Sequence, residues 1–111
     1  MPHYLIETMN QQVFKEIQSL KRQLLPNEKM ILFGSQARGN AREDSDWDLL
    51  VLLDKEKSNF IEDYSKYAYP FAELGLQYNT YISAKVFTVK EWESHLSLLR
   101  YNVEREGIEV S

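Results

Sequence analysis

Residues 46–53 read DWDLLVLL, and no other stretch of the 111-residue chain restricts the fold as much. Side chains alternate faces along a strand, so the five apolar residues 49–53 make both faces greasy. Such a strand is stable only inside a sheet that is covered on both sides, which predicts a central strand and helical layers around it. The same alternation puts Asp46 and Asp48 on one face and Trp47 on the other. Two carboxylates spaced this way stand roughly 6.5 Å apart at the backbone, and their anionic oxygens repel. A divalent cation relieves that repulsion. Magnesium takes one or two carboxylates, with substrate phosphates and waters completing its shell.

The rest of the chain reads as the layers such a strand needs. Ile6, Met9, Val13, Ile17, Leu20 and Leu24 recur at steps of three or four, predicting an amphipathic helix that Pro26 and Asn27 stop. MILF, residues 30–33, reads as a short buried strand ended by Gly34. SQARGNA, residues 35–41, allows a short helix limited by Gly39 and Asn40, and REDS, residues 42–45, is a polar connector. Beyond a charged turn at 54–58, Phe60, Tyr64, Tyr67, Phe71 and Leu74 mark a second long helix. Pro70 predicts a kink or break inside it, and Gly75 its end. Residues 76–89, rich in β-branched and aromatic side chains, read as a third strand. Thr88 and Glu91 fit a capping box that opens a last helix, with Trp92, Leu96, Leu99 and Val103 as its buried stripe and Gly107 near its end. The order is helix, strand, short helix, strand, helix, strand, helix. It predicts an α/β (α+β) fold, a small mixed sheet packed with helices in one domain spanning 1–111.

Charge narrows the chemistry. With 13 basic and 17 acidic residues the net charge is −4, so a broad phosphate-neutralising surface for nucleic acid is excluded. Any phosphate must be handled locally. There is no cysteine, which removes disulfides and thiolate metal sites and agrees with a reducing, cytoplasmic setting. No signal peptide is visible at the N-terminus, and no apolar run approaches the roughly 20 residues that span a bilayer. Gly34 and Ser35, where a strand turns into a helix, offer local handling: glycine permits close approach of a phosphate, and amides and a hydroxyl donate to it. If the two strands are neighbours, this turn and the aspartate pair share one cleft. Each half also has a bland reading, the turn as an ordinary helix cap and EDSDWD as a solvated loop. Arg38 either neutralises phosphate or pairs with Glu43 or Asp44. GSQARGN lacks the GK[ST] ending of a P-loop, and His3 and His95 have no metal-ligand spacing.

GS, ten residues, then DWD between two apolar strands resembles the nucleotidyltransferase fold shared with DNA polymerase beta. GSQARGNAREDSDWDLLV is most similar to its minimal nucleotidyltransferases, small proteins with a GSxARG signature. The resemblance implies transfer of a nucleoside monophosphate, AMP from ATP, to an acceptor hydroxyl, with two Mg2+ ions at the triphosphate. Carried over, Gly34, Ser35 and Arg38 bind the nucleotide, and Asp46 and Asp48 are the catalytic metal ligands. The family adds a third carboxylate from a later strand. By position Asn79 matches it, with Gln77 as runner-up, and no Asp or Glu occurs between Glu73 and Glu91. An amide supplies no charge to hold an ion or to assist deprotonation, so the expectation is reduced activity, with nucleotide binding surviving better than turnover. Relatives of this kind pair as antitoxins with HEPN-domain ribonucleases and modify a tyrosine of that toxin, which implies a protein acceptor. The alternative is a catalytically weak nucleotide-binding subunit of such a complex.

Overall fold

The computed structural model describes residues 3–41 and 46–111, with the side chains of residues 3–9 outside the description. The expected places of Ile6 and Met9 on the first helical stripe, and the connector 42–45, therefore lie outside the described residues.

Four strands form one mixed sheet in the order β3-β2-β1-β4. They are β1 (Lys29–Phe33), β2 (Trp47–Leu53), β3 (Ile82–Thr88) and β4 (Ile108–Val110). β1 runs antiparallel to β2 and β4, while β2 and β3 are parallel. β2 is thus interior, as its two-faced hydrophobicity requires. Trp47, Leu49, Val51 and Leu53 join a core built with Val13 and Ile17 of α1 (His3–Leu24) and Phe71 and Leu74 of α4 (Tyr69–Gln77). Leu50 and Leu52 join a second core with Phe33, Val103 and the half-buried Trp92 and Leu99. Burying a leucine is worth roughly 1.5–3 kcal/mol, and a one-residue slip would exchange both sets of β2 side chains between the two cores. The slip would also drive Asp48 into the layer beneath Trp47. Packing on both faces therefore fixes the register that presents the aspartates.

Several elements differ from expectation for local reasons. The fully buried row steps by four through Val13, Ile17 and Lys21 of α1 to Leu25 just beyond it; Leu20 packs partly buried against the same core, as expected, whereas Leu24 is exposed. The second long helix begins as α3 (Phe60–Asp63) and passes through a π-helical turn, Tyr64–Ala68, before α4. The Tyr69 N–H reaches back to Tyr64 O, an extra residue per turn, placed just ahead of Pro70, which has no N–H to give. That insertion shifts the helical phase. Phe71 and Leu74 are buried beyond it, whereas Phe60 before it and Tyr64 at its start are exposed and stack on each other with ring centroids 6.3 Å apart.

Gly75 does not end its helix but lies inside it. A Cβ there would meet Thr80 O at 2.6 Å, so glycine is required by the chain returning against it. The segment 78–81 is consequently a turn, and β3 starts only at Ile82. The expected last helix is two: α5 (Val89–Ser94), opened by the Thr88–Glu91 capping box as expected, and α6 (Leu98–Glu106). Ser97 accepts from the Arg100 N–H and starts α6 afresh, so Leu96 falls in the break and is exposed instead of buried. After Gly107 the chain adds β4, with Met30 opposite Val110. Three residues with one buried side chain are too short to register as a strand in the sequence.

Candidate active site

β1 ends at Phe33, whose register partner on β2 is Asp48. The next residue, Gly34, has φ 79° and ψ −160°, a region only glycine occupies without strain. A Cβ on Gly34 would lie 2.5 Å from Asp48 Oδ2. Two independent demands, backbone shape and the carboxylate packed against it, therefore select glycine here. The chain then makes a single helical turn, α2 (Ser35–Arg38), closed by Gly39 in the left-handed region. The Ala37 and Arg38 amides donate to Gly34 O at 3.1 and 3.0 Å, so they are occupied. Ligand donation from this turn falls to the Ser35 hydroxyl, which has no hydrogen bond among the described residues, and to the backbone near Gly34.

Gly34, Ser35, Arg38, Asp46 and Asp48 all line one open cavity of about 500 Å³. Asp46 is exposed just before β2, and Asp48 is half-buried one pleat further on. Burial first, and the neighbouring Asp46 carboxylate second, push the Asp48 carboxyl above the usual range, while Lys85 and Arg38 oppose the shift. The Asp48 carboxylate is under-compensated by the described residues. That is the electrostatic condition in which a cation is welcome. Among the described residues no group of three or more His, Asp or Glu forms a metal cage. Two carboxylates facing open space suit Mg2+, which keeps waters and takes substrate phosphates as ligands.

Four further lining residues escaped the sequence reading, Phe33 at the end of β1 and three from α6. Leu99, Asn102 and Glu106 form the opposite wall from α6. Leu99 was expected only as core. Arg38 donates through Nη1 to Glu106 Oε1 at 3.0 Å, across 68 residues of sequence. Glu43 and Asp44, its expected surface partners, lie outside the described residues. No local pattern announces a pair this distant.

Asn79 is not brought to the cavity. It occupies the turn before β3 with φ 53°, a left-handed conformation asparagine tolerates better than most residues. Gln77, the runner-up, ends α4. The sequence placement fails because the close contact at Gly75 extends α4 and delays the strand. On β3 itself Ser83 pairs with Asp48, Lys85 with Leu50 and Phe87 with Leu52. Phe87 packs in the same core as Leu50 and Leu52. Ser83 and Lys85 therefore share the face of Asp48, and neither is acidic.

Residues 12–109 match the model of a family described as nucleotidyltransferase domain. Over 48 residues the chain is 50% identical to the protein adenylyltransferase MntA of Aphanizomenon flos-aquae (strain 2012/KM1/D3). That stretch is 40% of this chain and spans only about a third (32%) of the relative. Among solved structures, a toxin–antitoxin complex with AMP-PNP is similar at TM-score 0.62 and 21% identity, covering 88% of this chain and 72% of that one. A mutant MntA–HpeT toxin–antitoxin complex is similar at 0.59 and 18% identity, covering 88% and 71%. A protein of Sulfolobus solfataricus described as a nucleotidyltransferase matches at 0.58 and 18%, covering 94% and 84%. At these identities the structural likeness speaks for the fold.

Proposed function

This chain belongs to the nucleotidyltransferase domain family, and from that premise we propose that it moves AMP from ATP, with Mg2+, to a hydroxyl of a partner protein. The observation that carries this reading is the meeting of the Gly34–Ser35 turn and the Asp46–Asp48 pair in one cavity. The local identity to a protein adenylyltransferase supports AMP as the group moved. The net charge of −4 disfavours a nucleic-acid acceptor. The fold is shared with toxin–antitoxin complexes, which is compatible with an antitoxin role; the family resemblance of the GSQARG and DWD motifs implies a tyrosine of a HEPN-domain toxin as acceptor. ATP and Mg2+ make the cytoplasm the natural compartment, and among the described residues no helix is long and apolar enough to cross a membrane.

In this mechanism Ser35 binds the triphosphate oxygens, Gly34 lets them approach the backbone, and Arg38, held by Glu106, adds positive charge beside them. Asp46 and Asp48 hold Mg2+, which when bound supplies charge stabilisation at the phosphorus and on the departing pyrophosphate. The acceptor oxygen bonds to the α-phosphorus as the bond to the bridging oxygen breaks. The electron pair leaves on pyrophosphate, and the hydroxyl proton passes to solvent. Little covalent help is needed; the chain's work is positioning and electrostatics.

A second reading, a catalytically weak nucleotide-binding subunit of the same complex, is favoured by β3, which places Ser83 and Lys85 and no acid on the aspartate face. Incubation with α-labelled ATP, Mg2+ and a HEPN-domain partner separates the two. Label on the partner is the expected result. Tight association without label gives the second reading, and neither association nor label refutes both.

A further inference from the structure

Lys85 lies on the edge strand β3, two residues beyond the partner of Asp48 and on its face of the sheet. Its side chain is exposed, and it has neither hydrogen bond nor ion pair among the described residues. It is still near enough for its charge to act on the Asp48 carboxylate. The other cation beside the aspartates, Arg38, is already paired with Glu106. Among the described residues the two aspartates therefore have one uncommitted ammonium near them, standing beside the cavity and not in its lining.

We propose that Lys85 serves as a fixed cation at the aspartate pair, so that the site takes up one divalent ion with its nucleotide and not two. The proposal rests on the nucleotidyl-transfer reading and specifies how that site is charged. Two-metal sites hold their ions about 3.5–4 Å apart and need acidic ligands enough to offset both. Here Asp46 and Asp48, with phosphate oxygens, suffice for one Mg2+. A second ion on the β3 side would meet the neutral Ser83 hydroxyl and the Lys85 ammonium, and no carboxylate. Lysine is a compact point charge on a flexible stem and offers no lone pair while protonated, so it repels a metal and attracts a phosphate oxygen. The ammonium thereby supplies part of the charge that a second ion would bring, without needing to be captured from solution.

The test counts metal, not turnover. Mn2+ is titrated to saturation against the protein with saturating AMP-PNP, and bound Mn2+ per bound nucleotide is read by electron paramagnetic resonance and equilibrium dialysis. The parent should bind one Mn2+ per nucleotide, and Lys85→Asp should bind two, with the spin–spin broadening of a close pair. Lys85→Met should weaken AMP-PNP binding severalfold while still holding a single ion. Two Mn2+ in the parent overturns the proposal with no variant required. A single Mn2+ in a Lys85→Asp protein that keeps the parent's circular dichroism spectrum also overturns it, because something other than the lysine then excludes the second ion. If the parent binds no nucleotide, the underlying site assignment fails first and this proposal falls with it.

Discussion

The two walls of the cavity are built on different principles. The wall from β1 and β2 is dictated by the backbone: Gly34 takes a conformation closed to other residues, Asp48 packs against it, and buried leucines on both faces lock the strand behind. The α6 wall contributes Leu99, Asn102 and Glu106, and its polar tie to the first is one ion pair between Arg38 and Glu106. Glu106 is 13% exposed at its side chain and Arg38 45%, so this tie is partly screened by solvent. The first wall fixes what chemistry is possible. The second adjusts how strongly a ligand is held. Substitutions should therefore be severe on the first wall and mild on the second, and each prediction below probes that contrast.

The largest effect belongs to Asp48. Asp48→Asn should cut nucleotidyl transfer on the order of 10³-fold, since metal charge stabilisation is worth several kcal/mol and 1.36 kcal/mol is tenfold in rate. Its effect on the ligand-free protein should have the opposite sign. Burial and Asp46 raise the folded-state value of this carboxyl above its ordinary 3.8. A raised carboxyl stabilises the fold fully below its unfolded value and loses that contribution as pH rises through the folded value. Asp48→Asn should therefore melt at a higher temperature than the parent at neutral pH, with the gap closing below about pH 4. A variant that melts lower at pH 7 would mean the aspartate pair is already compensated without metal.

Gly34→Ala comes next. A methyl group there combines a glycine-only backbone conformation, costing about 1–3 kcal/mol, with a collision against Asp48 Oδ2. Urea unfolding should show a loss of about 2–3 kcal/mol, and Mn2+ affinity should fall because the carboxylate is displaced. Loss of affinity with stability unchanged would mean that Gly34 is not strained by a side chain and would weaken the backbone account of this wall.

The contrast also explains what was legible in the sequence. The first wall lies within residues 34–48, and each of its constraints leaves a local mark: a glycine before serine, an alternating acid pair, an apolar run. The interior position of β2 and the Thr88–Glu91 cap are readable for the same reason. The second wall is assembled by tertiary contact. Glu106 meets Arg38 only because α6 packs beneath β1 and β2, and nothing near either residue encodes the pairing. Errors in the long elements have a common source. Periodicity assumes an unbroken phase, and the π-helical turn before Pro70 and the Ser97 restart each reset it, which strands Phe60, Tyr64 and Leu96 in solvent. The close approach at Gly75 is a non-local contact, so the true start of β3, and with it the residues beside Asp48, was hidden.

Glu106→Gln tests the second wall. The substitution removes one negative charge from the cavity and releases Arg38 to face phosphate, so ATP should bind more tightly, by roughly two- to fivefold in Kd, consistent with about 0.2–1 kcal/mol for a partly exposed pair. Fold stability should drop by no more than about 1 kcal/mol. Titration calorimetry with AMP-PNP reads the first and urea unfolding the second. Weaker nucleotide binding would reverse the assignment and make Glu106 the residue that aims Arg38 at the ligand, giving the second wall a share in the chemistry.

The smallest effect is expected at Asn79, and it bears on the whole comparison. The family resemblance implies that it stands at the third-carboxylate position, where Asn79→Asp should raise turnover. In the fold it sits at φ 53° in the turn that ends α4, with the Thr80 N–H donating to Gly75 O at 3.0 Å beside it. An aspartate tolerates that conformation nearly as well, and Asn79 is not among the residues lining the cavity. Asn79→Asp should leave Mn2+ affinity and turnover within about twofold, and stability within about 0.5 kcal/mol, as for surface changes generally. A clear gain in metal affinity would put residue 79 beside Asp48, which requires β3 to begin several residues earlier and its register with β2 to shift. Ser83 and Lys85 would then leave the aspartate face, and the division between a locally encoded wall and a tertiary one would no longer hold.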